Sequence, residues 1–239
     1  MSIGGGADGA VVGGVIKSRA MAADSAPSSF NLTHHFLIAM PGLRDETFAR
    51  SVIYLCEHSE RGALGLMINK PSEINMRHLF DKVDLSLRRD DLTDAPVLQG
   101  GPVQTERGFV LHEPMSVRAA SAEGEAGIVL EEGEADPPEN EPAYASTMAV
   151  PGGLLEMTTS KDVLEAIATG AGPRRVLVTL GYASWGEGQL ESEIAENSWL
   201  TVGADLSVIF DTPVGERYER ALSLLGLQPW MLLSEAGHA

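Results

Sequence analysis

The chain has 239 residues, 44% hydrophobic and 21% charged, with 34 acidic against 17 basic side chains and a net charge of −17. That composition is ordinary for a soluble globular protein and excludes collagen, coiled coil and wholesale disorder. No apolar run approaches the roughly 18 residues that cross a bilayer, so a membrane-spanning chain is excluded as well. A single cysteine makes no internal disulfide, and with scattered histidines it makes no standard zinc site, so neither a metal nor a cofactor is expected. The acidic excess argues against direct nucleic-acid binding and against anionic lipid, both of which need a basic face.

Residues 1–29 are rich in Gly, Ala and Ser and are predicted to be a disordered extension. Lys17 and Arg19 follow the short apolar stretch instead of preceding it, which is the wrong order for a secretory signal. The domain proper is expected over 30–239. Its first segment, His35–Met40 (HFLIAM), is a short apolar run closed by Pro41-Gly42 and predicts a buried strand. Arg50–Cys56 (RSVIYLC) is rich in β-branched and aromatic residues, and Arg61-Gly62 predicts a tight turn into Ala63–Ile68 (ALGLMI), giving a hairpin that Asn69-Lys70-Pro71 ends. Apolar residues at 76, 79, 80 and 83 give a helical spacing over 75–83. Pro96–Gln99 and Gly108–His112 predict two strands separated by Gly100-Gly101-Pro102.

From Ala119 to Ser160 there is no Lys or Arg and there are nine acids, while Pro137, Pro138 and Pro142 exclude a continuous helix between them. A solvated, flexible acidic insert is expected at about 119–150. Beyond it, Thr159-Ser160 predicts the cap of a helix over 162–169 that Gly170 stops. Arg175–Gly181 is the clearest buried strand; 189–200 reads as an amphipathic helix, Leu206–Phe210 (LSVIF) as a strand, and 218–227 as a last helix. Early hairpins and late helices favour an α+β fold, a single compact domain with a mixed, curled sheet flanked by helices. The alternative is a three-layer α/β/α sandwich.

Candidate chemistry clusters at predicted strand ends. Cys56 and His58 fall two apart, so a strand would place them on one face, where an imidazolium lowers a thiol pKa and makes a nucleophile or redox sensor. The plainer reading is a buried cysteine at a strand end. Gly100 and Gly101 offer backbone N–H groups to an anion, but the P-loop and dinucleotide patterns are absent. Thr159 and Ser160 suit an anion at a helix start as well as they suit ordinary capping. Tyr182 and Trp185 follow the best strand, where aromatic side chains line clefts or pack cores, and Ser184 lacks the context of a nucleophile elbow. Asn69, Lys70 and Arg107 complete the ligand-binding candidates. His34, His35 and His112 show no metal-specific spacing.

In order along 32–239, HFLIAMP (35–41), RSVIYLCEHSERGALGLMINKP (50–71), LQGGPVQTERGFVLH (98–112), TTSKDVL (158–164), LGYASWGEGQLESEI with NSWL (180–200) and the terminal GHA resemble the YqgE/AlgH family of uncharacterised bacterial proteins. The N-terminal extension and the acidic insert depart from the family's expected pattern. The resemblance implies a compact cytoplasmic domain with a mixed, curled sheet and a link to transcriptional control, and it brings no catalytic residues to carry over. No segment resembles a helix-turn-helix. The function expected is that of a non-enzymatic cytosolic binding or regulatory protein, an indirect transcriptional regulator, with a protein or small-molecule partner. The alternative is a thiol-dependent enzyme or redox sensor using Cys56 with His58.

Overall fold

The structure, a computed structural model, describes residues 31–115, 143–152 and 154–232. The expectations for 1–29, for 119–142 of the acidic insert and for the terminal GHA lie outside the described residues. The rest belongs to one unit that begins at Asn31.

Strand β1 is His35–Ala39, β2 Val52–Ser59 and β3 Gly62–Met67. All three are buried on both faces, which is why their sequences read as near-continuous apolar runs. Then come β4 (Pro71–Asn75), α1 (Met76–Lys82), β5 (Pro96–Gln99) and β6 (Val103–His112). Asn75 caps α1 by accepting from the His78 N–H. The second half holds β7 (Thr147–Ala149), β8 (Glu156–Thr158), α2 (Lys161–Thr169), β9 (Val176–Trp185), α3 (Gln189–Ala195), β10 (Trp199–Gly203), α4 (Leu206–Phe210) and α5 (Arg217–Leu224).

The strands form one curled sheet in the order β10-β1-β2-β3-β9-β6-β8-β7, with β5 beside β9 and β4 beside β5. Among the described strands only β5 with β9 is parallel, so the sheet is mixed, and the expected α+β class holds. One face carries Phe36, Ile38, Tyr54, Leu66, Phe109 and Leu177 and is covered by α4 and α5 through Val208, Ile209 and Leu222. The other face divides: Leu37, Ile53, Leu55 and Trp185 pack with Leu190 of α3, while Val97, Val110 and Val178 pack under α1 and α2.

Several expectations are corrected. The helix read over 189–200 ends at Ala195, because Asn197 turns the backbone to φ +59°; the chain then re-enters the sheet as β10, paired with β1. LSVIF is the short helix α4, not a strand. A five-residue apolar run carries no decisive period, and Asp205 settles it by accepting the Ser207 N–H. Ser160 stands at the N-cap of α2 without a capping hydrogen bond; its hydroxyl donates to Asp162 at 2.5 Å instead. Residues 147–149, within the stretch read as insert, pair with 156–158.

Strand β9 holds the two halves together: 183–185 pair with β3, 179–180 with β5, and 176–180 with β6. The crossing is tight at Gly100, where a Cβ would lie 2.1 Å from the Gly181 carbonyl oxygen. Gly100→Ala is therefore expected to cost about 2–4 kcal/mol, read as a drop in the urea midpoint, because the nearest obstructing atom is a backbone oxygen with the Thr179 side chain close behind it.

Candidate functional site

The proposed Cys56–His58 pair is not assembled. Strand β2 carries a β-bulge between Leu55 and Glu57, so Cys56 is the unpaired extra residue and the alternation reverses after it. Cys56 packs with Phe36, Val52 and Tyr54. His58 stands opposite Ala63 on the other side, where its Nδ1 accepts the Leu32 N–H at 2.9 Å and its Nε2–H donates to Glu191 at 2.9 Å. The thiol is fully buried, its hydrogen directed at the Tyr54 carbonyl, and burial pushes its pKa up, away from the thiolate.

Most of the other sequence candidates are used by the fold itself. Asn69 accepts the Val52 N–H and donates to the Arg50 carbonyl, and Lys70 donates to the Ala49 carbonyl. The Gly100 N–H donates to the Leu180 carbonyl, so it is not available to an anion. A Cβ on Gly101 would meet the Tyr182 backbone at 2.1 Å. Trp185 is core: its indole N–H and that of Trp199 both donate to Glu193 Oε2, at 2.9 and 2.8 Å, with Phe48 against both rings. One set does come together around β6 and β9. Arg107 donates to Thr159 Oγ1 at 2.9 Å and lies over Phe109, whose ring meets Tyr182 edge-on.

The histidines are dispersed. His112 is fully buried, with Nδ1–H donating to the Glu113 carbonyl at 2.8 Å and Nε2 facing the Thr158 hydroxyl at 2.9 Å. Its pKa is lowered chiefly by desolvation, against the opposing pull of the Glu113 carbonyl and Glu156. His34 shifts in the same direction, also by burial.

The feature that the sequence reading missed is a cavity of about 320 Å³ between the start of β9, β5, α4 and the first residue of α5. Leu98, Leu177, Ile209, Phe210 and Val214 give it apolar walls, and four arginines, Arg89, Arg174, Arg175 and Arg217, line it against one carboxylate, Asp91. It adjoins an open basin of about 810 Å³ where Arg89, Arg174 and Arg175 face Asp91, Glu113 and Asp211, a balanced set. By residue count the basin is balanced, whereas the cavity lining carries an excess of arginine.

The four guanidinium groups are not equivalent. Arg89 forks onto Asp91 at 2.9 and 2.6 Å and donates to the carbonyls of Pro173 and Arg174 at 3.0 Å, fixing the 88–95 loop to the entry of β9. This pairing raises the Arg89 pKa and lowers that of Asp91. Arg175 bonds Asp211, lies 3.5 Å from Glu113 and stacks on Phe210. Arg217 is only 7% exposed. Its Nε donates to the Thr212 carbonyl at 3.0 Å and its Nη1 to the Ile68 carbonyl at 2.5 Å. Among the described residues no carboxylate lies within 4.0 Å of it. Burial lowers its pKa from the ordinary arginine value to about 10, so holding the cation there costs roughly 3 kcal/mol at neutral pH. Its place in the first turn of α5, at the positive end of the helix dipole, adds to that cost. The available signals were the Arg88-Arg89 and Arg174-Arg175 pairs, which the acidic total concealed.

Among the described residues, a curled, mostly antiparallel sheet with five helices defines a one-sheet α+β protein. The comparisons make this more specific. A family profile described as AlgH-like matches residues 36–230. A UPF0301 protein of Paracidovorax citrulli is 75% identical over 220 residues, covering 92% of this chain and all of that protein. A second, from Variovorax paradoxus, is 69% identical with the same coverage. The chain belongs to the AlgH-like UPF0301 family. The solution structure of the AlgH protein from Pseudomonas aeruginosa is 42% identical and superposes with a TM-score of 0.62 over 89% of this chain and 98% of that one. A Corynebacterium diphtheriae protein, 20% identical with a TM-score of 0.53 over 79% and 86% of the two chains, shares the fold.

Two measurements check this account. Alkylation of Cys56 at pH 8 is expected to proceed only as fast as the chain unfolds, and Cys56→Ser to cost about 1–3 kcal/mol through the buried hydroxyl; fast alkylation of the folded chain would overturn the assignment. Because His112 and His34 titrate below 6.5 when folded, the unfolded chain takes up protons first as pH falls. The urea midpoint should therefore drop from pH 7 to pH 5, and less steeply in His112→Gln.

Proposed function

We propose that this chain is a non-enzymatic, ligand-responsive regulatory protein of the bacterial cytoplasm, which binds a small anionic ligand in the arginine-lined cavity and influences transcription indirectly. The observation that carries this reading is Arg217, a buried cation with no carboxylate partner among the described residues, lining a cavity large enough for a small molecule. Burying a cation without a counter-charge is costly, and an anion in the cavity would offset that cost. The family resemblance to AlgH supports the regulatory side, and the net charge of −17 favours action through a ligand or partner over contact with DNA.

The test is thermal denaturation with millimolar heptanoate, an organic anion with an apolar tail. Wild type should gain Tm as the anion concentration rises, by ordinary linkage. Arg217→Met should lose the gain, and Arg217→Lys, which keeps the charge without the planar fork, should retain part of it. A gain identical in all three would sink the assignment of this cavity.

A further inference from the structure

Resting on that reading, we infer that the cavity takes an elongated dianion, with one anionic group at each end of an apolar spacer. The donors sort the four arginines into two classes. Arg89 and Arg175 are each held by carboxylates of the chain. Arg217 Nη2 and the whole Arg174 guanidinium have no hydrogen bond or carboxylate partner among the described residues. These two unpaired groups occupy different places. Arg217 is the buried one. Arg174 is exposed and lines both the cavity and the basin into which it opens, so it stands at the mouth.

The same lining also holds the apolar side chains of Leu98, Leu177, Ile209 and Val214, with the Phe210 ring already engaged by Arg175. A bare phosphate would pair with one cation and leave those walls wet. At about 30 Å³ per water-sized group, the cavity of about 320 Å³ has room for roughly ten non-hydrogen atoms, twice the size of a phosphate. A chain of several methylenes ended by carboxylates, or by a carboxylate and a phosphonate, has the matching size and polarity. The free Arg174 guanidinium can donate bidentately to either head group, and Arg217 Nη2 can donate to the other end.

Calorimetric titration of the full chain with heptanedioate, 6-phosphonohexanoate and heptanoate separates the possibilities. Both dianions are expected to bind at least about tenfold more tightly than heptanoate. Whichever of the two binds more tightly identifies the preferred head group. Arg174→Ala should weaken heptanedioate by a larger factor than heptanoate, so that the two converge. Arg217→Lys, checked for folding by its urea transition, should weaken all three. Equal affinity for heptanedioate and heptanoate would overturn the two-ended ligand while preserving the anion site. No binding of any of the three would overturn the anion site as well.

Discussion

Everything in this architecture depends on how closely the backbone at Gly100 and Gly101 approaches strand β9. The Gly100 N–H donates to the Leu180 carbonyl, while its own carbonyl accepts the Met67 N–H, so one residue bonds to the middle of β9 and the end of β3 at once. Side chains are excluded by distance: a Cβ would fall 2.1 Å from a carbonyl oxygen at Gly100 and 2.1 Å from a carbonyl carbon at Gly101. Gly181 yields from the other side with φ +73°. From this contact follow the parallel β5–β9 pair and the register of β6 on the same strand. The placement of Leu98 and Leu177 side by side as cavity wall follows as well.

The same reasoning explains why a costly arginine is tolerated. Arg217 ties the carbonyls of Ile68, at the end of β3, and Thr212, after α4, to the start of α5. Ile68 is fully buried, so without this donor its carbonyl would be a buried acceptor left unpaired. The side chain is thus partly a structural tie, which accounts for two of its nitrogens. The third nitrogen and the charge are left over, and they are what the cavity presents to a ligand. Tie and receptor share one residue, so occupancy of the cavity is coupled to how firmly α5 sits on the sheet.

Much of the fold was legible in the sequence. The runs at 35–40, 50–56, 63–68 and 175–181 are strands because they are buried on both faces, and burial of that kind writes itself as unbroken apolar sequence. Helix α1 was legible through its spacing and α2 through its Gly170 stop. The short strands β4, β7 and β8 were not, since three to five residues with mixed exposure carry no period. LSVIF was misread because apolarity alone does not distinguish helix from strand over five residues. The Cys56–His58 pairing failed on a single inserted residue, which reverses every face downstream and leaves no local signature. The cavity was hidden for another reason. Its arginines lie at 89, 174, 175 and 217, and only the sheet topology brings them together.

The two indoles that share Glu193 have a bearing on shape. In the sheet order, β10 and β9 are separated by three strands, so a flat sheet would hold them four spacings, about 19 Å, apart. Yet the rings of Trp185, at the end of β9, and Trp199, at the start of β10, have centroids 6.0 Å apart, joined through one carboxylate of α3. The curl therefore brings this end of the five strands almost to closure, with Glu193 as the seam. A sheet rolled in this way presents less open edge to a neighbouring chain, and its resistance to strand-to-strand aggregation rests in part on the contact of half-buried Glu193 with two buried tryptophans.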